Sequence, residues 1–171
     1  MLILAMRLSG VWANDLVKDG PGWKSQREKV FQTGSGGSLK TEGLQGDITL
    51  HAWSRKEVKI IETLRLDVYS KSDAEQIAKE YQADFVQRGD EIVIVQNRDY
   101  GRRYRGNNNY EIWLPEKFDC AIETEGGDIE IQGVQGVVDV VTGGGDISLE
   151  NLGGPVDAKS GGGDIEATEI N

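Results

Sequence analysis

The tripeptide Gly-Asp-Ile recurs at one interval: Asp128, Asp146 and Asp164 are each 18 residues apart. Self-similarity at a constant period marks stacked units, each unable to bury its apolar side alone. Superposed, the units give consistent columns. Ile129, Ile147 and Ile165 share one, and Ile131, Leu149 and Ala167 the next. Val134, Leu152 and Ile170 form a third, Cys120, Val138 and Val156 a fourth, and Ile122, Val140 and Ala158 a fifth. Between them lie outward positions such as Asp128, Glu130, Asp139, Ser148, Glu150, Asp157 and Glu166. Alternation at period two is the mark of half-buried strands.

Each unit therefore reads as strand, glycine turn, strand, glycine turn. The turn glycines are Gly126 and Gly127, Gly144 and Gly145, and Gly162 and Gly163, expected to supply the positive φ that tight corners need. The predicted fold is all-β: a parallel β-solenoid with 18-residue rungs. Its core is Ile129, Ile131, Val134, Val138, Val140, Ile147, Leu149, Leu152, Val156 and Ile165. Buried aliphatics worth about 1.5–3 kcal/mol each make such a layer stable against ordering entropy. An antiparallel meander has the same period and remains the alternative, although the C-terminal half offers no helix to cover its apolar face.

The same code appears earlier. "LKTEGLQGDITLHAW", from Leu39 to Trp53, aligns with "CAIETEGGDIEIQGV", from Cys120 to Val134, so Trp53 takes an inward place. The domain is expected over residues 30–171, with a small helix and hairpin inserted at about 70–109. Ser72 and Glu75 stand in capping-box spacing before a helix from Asp73 to Tyr81. "ADFVQRGDEIVIVQ" then reads as two strands about a Gly89-Asp90 turn. Residues 1–13 read as a truncated signal peptide ending in the small-x-small site Val11-Trp12-Ala13, and residues 14–29 as a linker.

In these segments the chain resembles the bacterial "putative adhesin" family, a β-strand-repeat domain of unknown function (domain of unknown function 4097). The resemblance rests on "GGSLKTEGLQGDITLHAWSRKEVKI", the helix and hairpin, "YEIWLPEKF" and the ordered GGDI units, from Val30 to Asn171. It implies an exported or envelope-associated β-solenoid of the periplasm or cell surface and carries no implication of enzymatic activity; neither an enzyme nor a cofactor is expected. Such domains usually carry more rungs, so a C-terminal truncation, or an open end covered by a partner, is expected at Asn171.

Composition narrows the chemistry. A net charge of −10 repels phosphate backbones, so nucleic acid is not an expected partner. The exception is local, "RDYGRRYR" from Arg98 to Arg105, read as a solvated loop. One cysteine and one histidine, Cys120 and His51, exclude a disulfide framework or a cysteine-rich zinc site. Cys120 falls inward and is expected to be inert. The apolar N-terminal run is too short for a transmembrane span.

Asp128, Asp146 and Asp164 are the only candidates for cation binding. They lack the GGxGxD spacing of calcium β-rolls, and one carboxylate per rung is far from six to eight oxygens. The alternative function is a carbohydrate-binding or carbohydrate-active β-helix. That reading would use the same carboxylates, with Lys159 as the one nearby base and Trp113, out of phase with the core, as a stacking ring. Arg88-Gly89-Asp90 is a hairpin turn first and an adhesion tripeptide only by coincidence. The expected partner is an envelope or surface component. A third reading is an end-to-end scaffold associating through open solenoid ends, since free strand edges recruit strands.

Overall fold

The computed structural model describes residues 15–96 and 106–171, and the protein it shows is mostly β. The arginine loop and the signal-like segment lie outside the described residues. Strands β1 (Asp15–Asp19), β2 (Gly22–Gln32), β3 (Gly36–Glu42), β4 (Asp47–Trp53) and β5 (Glu57–Leu66) precede one helix, α1 (Lys71–Tyr81). A hairpin of β6 (Asp84–Arg88) and β7 (Glu91–Val95) follows, then β8 (Gly106–Pro115) and β9 (Lys117–Thr124). The repeat units supply β10 (Ile129–Gln132), β11 (Val138–Thr142), β12 (Ile147–Leu152), β13 (Val156–Ser160) and β14 (Ile165–Ile170).

Two sheets form, in the orders β1-β2-β5-β8-β4-β10-β12-β14 and β13-β11-β9-β3-β7-β6. Among the repeats every pairing is parallel. Tyr110, Ile48, Ile129, Ile147 and Ile165 lie opposite one another in successive strands of the first sheet. Ile92, Leu39, Cys120, Val138 and Val156 do so in the second. Inner side chains of both sheets join one apolar core. The expected parallel arrangement does not extend through the chain. β1, β2, β5 and β8 pair antiparallel, as do β6 and β7, so both sheets are mixed. The long strands β2 and β5 pair over ten residues in register, although β3 and β4 lie between them in the chain.

Several expectations are corrected here. Residues 15–29 are strand, not linker: β1 and the first part of β2 form the far edge of the larger sheet. Their charges hid an alternation in which Ser25, Arg27 and Phe31 point inward. The inserted hairpin joins the main fold, because β7 pairs with β3 and extends the second sheet. Helix α1 begins two residues early, with Ser70 as its cap accepting the Asp73 N–H at 3.3 Å. It covers a second small core of Leu64, Leu66, Ala74 and Ala78.

Ile165 was placed in the core but is 47% exposed, and Ile170 is 42% exposed. Strand β14 is the edge of its sheet, so nothing lies on the outer side of either residue. The glycine turns are also built differently. Of the six named glycines only Gly127 has positive φ, at 128°. The positive-φ corner falls instead at Gly133, Asn151 and Glu169, themselves in 18-residue register.

What the turns demand is close approach. A Cβ on Gly145 would lie 2.0 Å from the Gly127 carbonyl oxygen, and one on Gly163 would lie 2.2 Å from that of Gly145. Gly127 meets the Gly46 backbone at 2.3 Å in the same way. A Cβ on Gly126 or Gly144 would meet nothing within 4 Å. The file of glycines lets turns rest directly on turns.

Candidate functional site

Two outward constellations result from this stacking. The first is an open cleft of about 580 Å³ along the turn edge of the larger sheet, with Asp47, Asp128, Asp146, Asp164, Glu130 and Glu166 on its walls. The parallel register sets the aspartates one above another. Asp47, Asp128 and Asp146 each use one carboxylate oxygen to accept the backbone N–H of the aspartate in the next rung, and Asp164 ends the file as a donor only. Asp128 N–H donates to Asp47 at 3.1 Å, Asp146 to Asp128 at 2.9 Å and Asp164 to Asp146 at 2.8 Å. Charge-assisted bonds to backbone donors offset the repulsion between stacked carboxylates, which is about 1 kcal/mol per pair in water.

The repeated Asp is therefore a rung connector. Asp128, Asp146 and Asp164 stand in a file and do not converge on a point. Among the described residues no group of three or more His, Cys, Asp or Glu side chains is arranged to hold a metal ion. A hydroxyl column backs the same turns, and the sequence reading missed it. Thr142 Oγ1 donates to the Gly127 carbonyl at 2.8 Å and accepts from Gly145 N–H at 3.2 Å. Ser160 repeats this with Gly145 and Gly163, both at 2.8 Å. Thr124, Thr142 and Ser160 carry the 18-residue period too, which is the signal that would have found them.

The second constellation is aromatic and lies on the outer face of the same sheet. Trp53 was expected inward, but Ile48 and Leu50 take the inward parity of β4 and Trp53 stands outside with His51. Trp113 of β8 joins them. His51 and Trp113 are cross-strand partners with ring centroids 6.0 Å apart, and Trp53 lies 6.3 Å from Trp113. Trp53 Nε1 donates to the Glu57 carbonyl at 2.8 Å, which fixes that indole. Arg55 lies over the Trp53 ring at 4.8 Å and Lys59 over Trp113 at 5.3 Å. Both cations are paired, Arg55 with Glu57 at 3.4 Å and Lys59 with Glu28 at 3.1 Å.

The remaining candidates have structural partners. Asp90, in the Arg88-Gly89-Asp90 turn, accepts the Gly34 N–H at 2.8 Å and the Ser38 N–H on its carbonyl at 3.1 Å. Lys159 is drawn to Asp157 at 2.6 Å, and that hydrogen bond raises the lysine pKa. Burial pushes the Cys120 thiol up to about 12, so no thiolate forms at neutral pH.

A buried charged network was also missed. Arg27 Nε binds Glu62, whose other carboxylate oxygen accepts the Ala83 N–H at 2.9 Å. The Arg27 guanidinium also donates to the Ala83 carbonyl and lies 4.6 Å from the Phe85 ring centroid. Glu62 occupies an inward place in the alternation Val58, Ile60, Glu62, Leu64, Leu66, and a charge at such a place was the available signal.

The fold and these surfaces define a class: an all-β protein of two mixed sheets with stacked repeat strands, presenting an acidic cleft and an aromatic outer face. Its fold is similar to that of a putative cell adhesion protein from Clostridium sporogenes ATCC 15579. The TM-score is 0.51 at 11% identity, covering 84% of this chain and 98% of that one, so the likeness is one of fold. A putative adhesin from Bacteroides fragilis NCTC 9343 aligns over 84% of this chain and 97% of its own at 9% identity. Its TM-score of 0.31 is too low to bear on the argument. No family model matches the chain, and no curated protein matches it. Among the described residues no helix is long and apolar enough to cross a membrane.

Proposed function

We propose that the chain is an exported, adhesin-like binding module of the bacterial envelope, non-enzymatic, and related to the domain of unknown function 4097. Its repeat half is a β-solenoid segment that holds broad sheet faces rigid for contact. The observation that carries this reading is the fold likeness to the putative cell adhesion protein of Clostridium sporogenes ATCC 15579, which spans nearly the whole of that chain. The outward side chains suit binding better than catalysis. Asp47, Asp128 and Asp146 each hold a backbone N–H with one carboxylate oxygen, and the cysteine is buried and protonated.

The test is a fusion of the full chain, with its own N-terminus, to a phosphatase that becomes active only outside the cytoplasm. It is paired with a pull-down of purified protein on washed bacterial cells. The reading predicts an active reporter and saturable cell binding. An inactive reporter, or no cell binding above that of an unrelated acidic β-protein, overturns it.

A further inference from the structure

We propose that His51, Trp53 and Trp113 form a binding site for a neutral, β-linked pyranose chain. This names a ligand class for the binding module above and rests on that reading. The three rings share one sheet face, tilted 37° between His51 and Trp113 and 32° between Trp53 and Trp113, and Trp carries large contact area at little entropic cost. Ring centroids 6.0 and 6.3 Å apart bring successive rings within the step of consecutive sugar units. The C–H face of each pyranose would rest on one ring while its hydroxyls reach the flanking polar groups.

Those groups stand in one row across the strands. Lys59, Trp113, His51, Gln132 and Glu150 are successive cross-strand partners in β5, β8, β4, β10 and β12. At about 4.8 Å per strand the row continues beyond the rings as a hydrogen-bonding track. Gln132 already donates to Glu150 at 3.1 Å, so a sugar hydroxyl would meet an oriented donor–acceptor pair.

Charge selects a neutral ligand. Each cation over a ring is matched by a carboxylate, Lys59 by Glu28 and Arg55 by Glu57, inside a chain of net charge −10. An anionic polymer gains no unpaired cation there, and a cationic one loses the Arg55 and Lys59 contacts. A protein partner would need a wide apolar surround. The exposed large apolar residues among those described are Val17, Tyr69, Val137, Val141, Ile165 and Ile170, and none shares a strand with the rings. Cation–π contacts at exposed rings are worth only about 0.5–1 kcal/mol, so a stacking sugar can displace them.

The experiment is an NMR titration of the full chain with cellohexaose, xylohexaose and mannohexaose, following the indole N–H signals, with polygalacturonate as the charged comparison. At least one neutral hexaose is expected to shift Trp53 and Trp113 saturably and leave Trp23 unmoved. Trp113→Ala is expected to weaken that binding at least tenfold. Gln132→Ala, at an exposed position that leaves the fold intact, is expected to weaken it several-fold. Silence with all three neutral probes, equal or stronger shifts with polygalacturonate, or unchanged binding by Gln132→Ala together with Trp113→Ala overturns the proposal. If the hexaoses fail while cells still capture Trp113→Ala as well as wild type, the adhesin-like reading stands and the sugar site falls.

Discussion

Cys120 shows how little a reactive residue type says about reactivity. It is 2% exposed between Leu39 and Val138 in a file of apolar side chains, where a thiolate would be stranded. Desolvation, with the nearby Asp119 charge adding to it, lifts the pKa from 9.0 to about 12. The raised value means the folded state keeps a proton that the unfolded state gives up. Stability from this group is therefore complete below pH 9 and declines as pH rises from 9 toward 12, by about 1.4 kcal/mol per unit. Denaturant midpoints between pH 8 and 11 should fall for wild type and fall less for Cys120→Ala. A thiol reagent should label the protein only after unfolding. Labelling of the native protein at neutral pH as fast as that of a free thiol would contradict the burial.

Among elements, β2, β5 and the connection after α1 are held by Arg27 and Glu62, which are 7% and 1% exposed. Removing one partner strands the other charge, and Glu62→Gln or Arg27→Met should each cost about 3–5 kcal/mol. Replacing both, as Arg27→Met with Glu62→Leu, should cost clearly less than the sum, measured by urea unfolding in a double-mutant cycle. Strict additivity would show that the pair is not coupled.

The same elements mark where sequence reading stopped. The repeat strands were legible because their inward columns recur in a register that needs no knowledge of partners. Strands β1 and β2 were not, because Lys24, Arg27, Glu28 and Lys29 resemble a polar linker until β5 supplies an ion partner for Arg27. Trp53 was misplaced because an alignment to Val134 carried it into the column, while the parity of Ile48 and Leu50 already set it outside. The antiparallel half was invisible to a period argument, since it does not repeat.

At the scale of the whole molecule, the repeat half is a stack of strands whose floors touch through backbone at the turns and through aliphatic side chains within. The glycines record this most directly, because adjacent ones differ only in what lies across from them. Gly145 faces the Gly127 carbonyl oxygen in the rung below, whereas Gly144 faces open space, and neither has positive φ. An alanine at Gly145 must push two rungs apart, at about 1–3 kcal/mol or more, while one at Gly144 must move nothing. The deciding measurement is the unfolding free energy of Gly144→Ala beside that of Gly145→Ala. Stacked turns predict near wild-type stability for the first and a loss of at least about 1 kcal/mol for the second; equal effects at the two positions would contradict the stack.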